Sequence, residues 1–206
     1  MTWKELLELA KKPDFSRRIK EMCDDGSILS WFPEAFWLDS YIHHPEHHPE
    51  GNPLEHTLKC LQLADDYEYN PLAKIATLFH DVGKAVSAIK YDKEIHPYHA
   101  FYEHEKKGLP VFECIAKRMD IPEKDAECIA FCIRRHMYFH KFREMTKKKI
   151  VETVLSPYWL TLKKVSYVDC ASRMHHFRKD EIVDSFSYAE EITDDFCKRF
   201  ILTSKV

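Results

Sequence analysis

Residues 71–84 read Pro71-Leu72-Ala73-Lys74-Ile75-Ala76-Thr77-Leu78-Phe79-His80-Asp81-Val82-Gly83-Lys84. Asn70-Pro71 is a helix start signal, because asparagine caps a helix well and proline suits the first helical position. The apolar run predicts a short, mostly buried helix over 71–81. A His-Asp pair closing such a helix is costly unless something satisfies it, and a bound cation does so. Neutral imidazole and carboxylate together suit Mn, Fe, Ni, Co or Zn. An aspartate can also bridge two ions with its two oxygens. Gly83 is read as letting the helix stop, and Lys84 then brings a cation near the site. A lone histidine at a helix C-terminus also has a dipole explanation, so the neighbouring segments decide.

Each neighbouring segment reads as helical. Asn52-Pro53 repeats the start signal for a helix to about Tyr69, with Glu55 in its first turn and His56 inside it. A pattern over about 98–119 carries His104-Glu105, with a possible break at Gly108-Leu109-Pro110. Another helix runs from Pro122 to about Phe142 and carries His136. Helices near 146–155 and 157–177 follow, the second holding Asp169, and a last one lies near 186–200. Upstream, residues 3–12 and 15–24 have helical periodicity, and 27–42 read as short helices. Trp31, Phe32, Phe36 and Trp37 are expected in the core. No convincing strand pair stands out, although Val86–Tyr91 is ambiguous. The expected fold is all-α: a helical extension over 1–45 and one compact helical-bundle domain over 46–206.

Composition agrees. The 206 residues contain 4 glycines, 13 histidines and 7 cysteines, with a net charge of −3. Few glycines leave little material for glycine-rich phosphate loops, and the acidity argues against a protein that coats DNA. No apolar run reaches the roughly 18 residues of a membrane span. The amphipathic N-terminus carries acids, unlike a signal peptide. With no C-x-x-C pair, the cysteines read as reduced core residues of a cytoplasmic protein. His43, His44, His47 and His48 resemble a metal-binding tract by composition. His175 and His176 read as surface residues.

One His or Asp from each of five consecutive helical segments is what a bundle gathers at one centre. The order His56, His80-Asp81, His104, His136, Asp169 resembles the HD-domain phosphohydrolase superfamily. More specifically, His48-Pro49-Glu50-Gly51-Asn52-Pro53-Leu54-Glu55-His56, Leu78-Phe79-His80-Asp81-Val82-Gly83-Lys84, His104-Glu105-Lys106-Lys107-Gly108 and Asp169-Cys170-Ala171-Ser172-Arg173 are similar to the C-terminal HD domain of bacterial CCA-adding tRNA nucleotidyltransferases. The nucleotidyltransferase motif of those enzymes is missing from these residues, so the likeness implies the tail domain alone and does not extend to CCA addition. It implies that His56, His80, Asp81 and Asp169 hold one metal, and that His104 and His136 hold a second with Asp81 bridging. The expected cofactor is one or two divalent transition ions (Mn, Fe, Ni or Co, with Mg admissible). By the same likeness, His48-Pro49-Glu50-Gly51 suggests a structured lid near His56.

Two ions about 3.5–4 Å apart can share a hydroxide and clamp an in-line displacement, so no Ser or Cys nucleophile is needed. Phosphate esters are the natural substrates of such a centre. Asp81 and Lys84 are therefore the expected catalytic residues, with Lys84 on the substrate phosphate and Arg135 and Arg173 behind it. Residues 134–149 are rich in Lys and Arg, with Tyr138, Phe139 and Phe142 interleaved. That pattern is either a solvated helix end or a cationic rim, including His140 and Lys141, that receives a nucleotide or RNA end on an aromatic. The expected activity is phosphate ester cleavage at nucleotides or RNA ends, of the 2′,3′-cyclic phosphodiesterase, 2′-nucleotidase or phosphatase type. The alternatives are a mixed-valent di-iron oxygenase of HD fold and a non-catalytic RNA-binding module. No membrane partner is expected, and nothing in the sequence specifies an oligomeric state.

Overall fold

The structure, a computed structural model, describes residues 1–44, 46, 51–90, 98–173 and 179–203. It is helical almost throughout. The elements are α1 (Trp3–Ala10), α2 (Phe15–Asp24), α3 (Glu34–Ser40), α4 (Pro53–Asp66), α5 (Pro71–Phe79), α6 (Lys84–Ser87), β1 (Ala88–Lys90), β2 (His99–Phe101), α7 (His104–Met119), α8 (Glu123–Arg135), α9 (Lys147–Val154), α10 (Trp159–Ala171) and α11 (Lys179–Thr203). No helix among the described residues is long and apolar enough to cross a membrane.

Helix α5 is the hub. Every side chain from Ala73 to Phe79 is buried, and the helix packs against α1, α4, α8 and α10. A helix that is apolar all round needs such a sleeve. Its start and that of α4 follow from the Asn-Pro signals. Asn52 Oδ1 accepts from Glu55 N at 2.8 Å, and Asn70 Oδ1 accepts from Ala73 N at 3.0 Å.

The N-terminal helices share this core, with Trp3, Leu6, Phe15 and Ile19 in the same buried cluster as Leu61, Ile75 and Phe79. A buried ion pair fastens them. Lys74 Nζ on α5 lies 2.5 Å from Asp65 Oδ1 on α4 and donates to Lys12 O at 3.0 Å. Asp65 Oδ2 in turn accepts from Ser16 N at 2.7 Å.

Several local expectations change. Residues 88–90 and 99–101 form a short antiparallel ribbon in which Ala88 faces Phe101 and Lys90 faces His99. The α7 helix therefore starts at His104 rather than near 98, after Glu103 in a left-handed conformation (φ 58°). It runs through Pro110 to Met119. The α8 helix stops at Arg135, and 136–140 tighten into a 3-10 turn. The last helix is longer than expected, spanning 179–203.

Trp31 and Phe32 are core residues as expected, but Phe36 and Trp37 are 55% and 52% exposed. The seven-residue α3 helix buries only Ala35 and Leu38, three apart on one face, and turns Phe36 and Trp37 outward. All seven cysteines are free thiols; Cys60, Cys128 and Cys132 are buried, whereas Cys114 is exposed.

Candidate metal centre

Four histidines reach the centre of the bundle from different elements, and each has one ring nitrogen already committed. His80 caps α5, and its Nδ1 lies 2.7 Å from Thr77 O. His104 opens α7 with Nδ1 3.0 Å from Phe101 O, and His136 caps α8 with Nδ1 2.9 Å from Ile133 O. A carbonyl only accepts, so Nδ1 carries the proton in all three. His56, inside α4, is fixed by a side chain instead. Ser172 Oγ donates to Asp169 O at 2.8 Å, which leaves its oxygen to accept from His56 Nδ1 at 3.1 Å. The neutral rings thus present Nε2 as a lone pair, the tautomer that a metal ligand needs.

These four lone pairs converge on two buried carboxylates. Asp81 divides its oxygens between two pairs of rings. Oδ1 lies 3.2 Å from His104 Nε2 and 3.6 Å from His136 Nε2, while Oδ2 lies 3.3 Å from His80 Nε2 and 3.7 Å from His56 Nε2. Asp169 Oδ1 lies 3.0 Å from His56 Nε2 and 3.9 Å from His80 Nε2. The Nε2 atoms of His104 and His136 face each other at 3.1 Å. Lone pairs set against lone pairs and carboxylates repel unless a cation lies between them. His80 Nε2 and Asp169 Oδ2 are buried without a hydrogen-bond partner, which is costly in a dry interior. Those unsatisfied atoms lie in the half formed by His56, His80 and Asp169, and the facing Nε2 atoms of His104 and His136 mark the other; the donor set of each half fits a divalent cation.

The electrostatics agree at His136 but not at His80, where burial opposes charge and Asp81 outweighs it, raising the imidazole as expected of a ring held beside carboxylates with no cation between them. Burial pushes His136 down to about 3, so that ring is neutral at ordinary pH. Burial opposes charge on Asp81, but Lys84 and His80 outweigh it and hold the carboxyl well below its usual range. Asp169 is held low in the same way by Arg173 and His56, again against burial. Both acids therefore stay anionic.

Two cations are built in beside the carboxylates. Lys84 Nζ is 2.7 Å from Asp81 Oδ2, and Arg173 Nη2 is 2.5 Å from Asp169 Oδ1. Lys84 follows Gly83, whose role differs from the expected helix stop. Gly83 has helical dihedrals (φ −65°, ψ −18°). A Cβ on it would lie 1.9 Å from His104 O and 2.6 Å from Gly108 N. Two glycines thus let the turn after α5 touch α7 backbone to backbone, which brings His104 to Asp81.

The structure gathers all six expected ligand residues, but it does not gather the expected substrate residues equally. Arg173 is at the centre. The Arg135 guanidinium lies over the Phe131 ring at 4.3 Å and near the Tyr138 ring at 5.9 Å. His140 and Lys141 are exposed. His140 lines a recess with Arg143, Asp184 and Cys170, and Cys170 directly follows Asp169 in the chain. Of the aromatics expected on a rim, Tyr138 and Phe142 are buried in the core, whereas Phe139, also largely buried, borders the recess beside His140.

Two contributors, Ser172 and Cys60, carry no mark of their own in the sequence, and a third, His43, does more than its composition suggests. Ser172 fixes His56, and its only signal was the spacing of three from Asp169. Cys60 is buried with Sγ 3.6 Å from His56 Nε2, and it sits one helical turn after His56. His43, expected in a metal-binding tract by composition, is buried with Nε2 3.2 Å from Lys84 Nζ. It is positioned by His43 N donating to Gly51 O at 2.8 Å. His44 is half-buried, its ring edge-on to Tyr98. Of the expected lid His48-Pro49-Glu50-Gly51, residues 48–50 lie outside the described residues, as do the histidines 47, 96, 175 and 176.

An all-helical bundle that focuses His and Asp from successive helices on one buried point defines a metal-centre class of protein. The sequence matches the HD domain family over residues 53–195, and the chain belongs to that family. A multifunctional CCA protein of Halorhodospira halophila is 30% identical over 150 residues, covering 73% of this chain and 35% of that protein. Those of Mannheimia succiniciproducens and Teredinibacter turnerae are 28% and 27% identical, covering 73% and 75% of this chain and 36% of each relative. The chain thus spans about a third of the length of the curated relatives it matches.

Proposed function

We propose that this chain is a metal-dependent phosphohydrolase that cleaves phosphate esters of nucleotides or RNA ends. The observation that carries the reading is the division of Asp81 between two imidazole pairs. His56, His80, Asp81 and Asp169 would hold one ion, and His104, His136 and the other oxygen of Asp81 a second. Mixed nitrogen and oxygen donors suit Mn, Fe, Ni or Co. When bound, the metal supplies Lewis acidity and an acidified water, the usual needs of phosphate ester hydrolysis.

The chain's own residues do the rest. Nδ1 hydrogen bonds hold each imidazole in the tautomer and orientation that leave Nε2 toward the centre. Lys84 and Arg173 place fixed positive charge beside the two carboxylates, where the negative charge of a phosphoryl group in transit is stabilised without reorganisation. Relatives described as multifunctional CCA proteins support a nucleotide or tRNA-type substrate. His140 and Lys141, exposed beside the recess, are the proposed outer contacts for it. In this reading 46–206 is the catalytic unit and 1–45 its helical buttress.

The test is a panel of phosphomonoesters, 2′,3′-cyclic nucleotides and cyclic dinucleotides with Mn, Ni, Co, Fe and Mg. Phosphate ester turnover that a chelator abolishes and a transition metal restores is expected. Metal-loaded protein that cleaves none of them would refute the reading. Oxygen uptake by the iron form would point to the oxygenase alternative.

A further inference from the structure

We propose that the Cys60 thiol is a further metal ligand, donating sulfur to the ion held by His56 and His80; this rests on the metal-centre reading above. His56 and Cys60 are four apart on α4, so they share one face of the helix. Cys60 is fully buried, and its Sγ lies 3.6 Å from His56 Nε2. Sγ and the donor nitrogens of His56 and His80 all lie within 4.8 Å of one another. With sulfur at about 2.3 Å and nitrogen at about 2.0–2.1 Å from an ion, and an angle of about 110° between them, those two donors lie about 3.6 Å apart, whether the thiolate is a fifth donor or replaces a carboxylate. His80 Nε2, buried and without a hydrogen-bond partner, faces the same space.

The consequence is chemical asymmetry. The half formed by Asp81, His104 and His136 offers only nitrogen and oxygen. The half with Cys60 adds a thiolate, which favours Zn, Fe or Co and disfavours Mg and Mn. Binding would release the thiol proton to solvent, because only the thiolate ligates. The competing arrangement is a neutral thiol that donates S–H to His56 and never touches metal.

Cobalt(II) separates the two. The full chain is titrated anaerobically with cobalt while bound metal and near-ultraviolet absorption are followed. A sulfur-to-cobalt charge-transfer band in the wild type is expected. It should vanish in Cys60→Ser and Cys60→Ala, and persist in Cys170→Ser, which lies beside Asp169. Cobalt-edge X-ray absorption on the wild type, which needs no variant to fold, should show sulfur scattering, averaging about one sulfur per two cobalt ions when both halves are filled. Bound cobalt with no band and no sulfur neighbour would overturn the proposal and leave the metal centre standing. A band that survives Cys60→Ser, or disappears in Cys170→Ser, would also overturn it. Failure of the wild type to bind cobalt at all would end the metal-centre reading itself.

Discussion

The ammonium of Lys84 lies 2.7 Å from Asp81 Oδ2, and both side chains are buried, with Lys84 only 3% exposed. Lys84 is therefore paired with the carboxylate that the proposed function makes the bridge, and the same proposal sets it against a substrate phosphate. Removing one partner of a buried pair costs roughly 3–5 kcal/mol. Lys84→Ala should destabilise metal-free protein on that scale and metal-loaded protein by less, because the ion takes over neutralisation of Asp81. Chemical denaturation with and without metal measures the difference. Hydrolysis should also slow by about 10–150-fold, the value of one charge-assisted hydrogen bond made fully only in the transition state. Equal destabilisation in both states and an unchanged rate would assign Lys84 no part in the centre.

The Gly83 and Gly108 backbones touch, and their substitution costs should differ in a fixed order. A Cβ on Gly83 would strike the backbone of His104 and Gly108, which cannot swing aside. A Cβ on Gly108 would meet Ile133 Cγ2 at 3.0 Å, the movable end of a side chain, and Gly83 N at 3.1 Å. Overpacking costs typically about 1–3 kcal/mol, occasionally more. Gly83→Ala should exceed that range or prevent folding, and Gly108→Ala should fall within it. Thermal unfolding of the two variants settles the order; a milder effect at Gly83 would contradict the backbone contact.

His104 and His136 share Asp81 Oδ1, whereas His56 and His80 share Oδ2. His104→Ala should therefore lower metal stoichiometry by removing the second ion while the first is retained. His80→Ala should impair the first. Metal analysis after equilibrium dialysis reads both. Identical losses in the two variants would mean one shared ion rather than two half-sites.

The pair between Lys74 and Asp65 ties α5 and α4 to the backbone of Lys12 and Ser16. Lys74→Ala leaves the Asp65 carboxylate buried without its counter-charge, and roughly 3–5 kcal/mol of stability should be lost. Denaturant unfolding should show this with metal bound or absent, since the pair is outside the centre. A loss confined to the metal-free state would contradict that separation.

The bundle and the His and Asp residues gathered at its centre were legible in the sequence because helix starts and clustered metal-donor residue types have recognisable signatures. Asn52-Pro53 and Asn70-Pro71 fix two helix starts within one residue. His80-Asp81 after an apolar run is conspicuous because burial makes it expensive. What escaped depends on tertiary packing. The ribbon of Ala88–Lys90 and His99–Phe101 is too short for an alternating pattern to register. Gly83 looked like a helix stop because close approach to Gly108, distant in sequence, leaves no local mark. Phe36 and Trp37 were assigned to the core on size, yet only the register of α3 decides which side faces inward. Tyr138 and Phe139 were grouped with the basic residues around them, although their side chains point into the core and the charges do not.

The central claim is that Asp81 joins two metal half-sites, and metal content measures it most directly. Wild-type protein and Asp81→Ala are equilibrated with excess cobalt or manganese, freed of loose ions, and analysed for bound metal. The account predicts up to two ions per wild-type chain and near-complete loss in Asp81→Ala, with circular dichroism showing the helices intact. Wild-type metal content in a folded Asp81→Ala would contradict it.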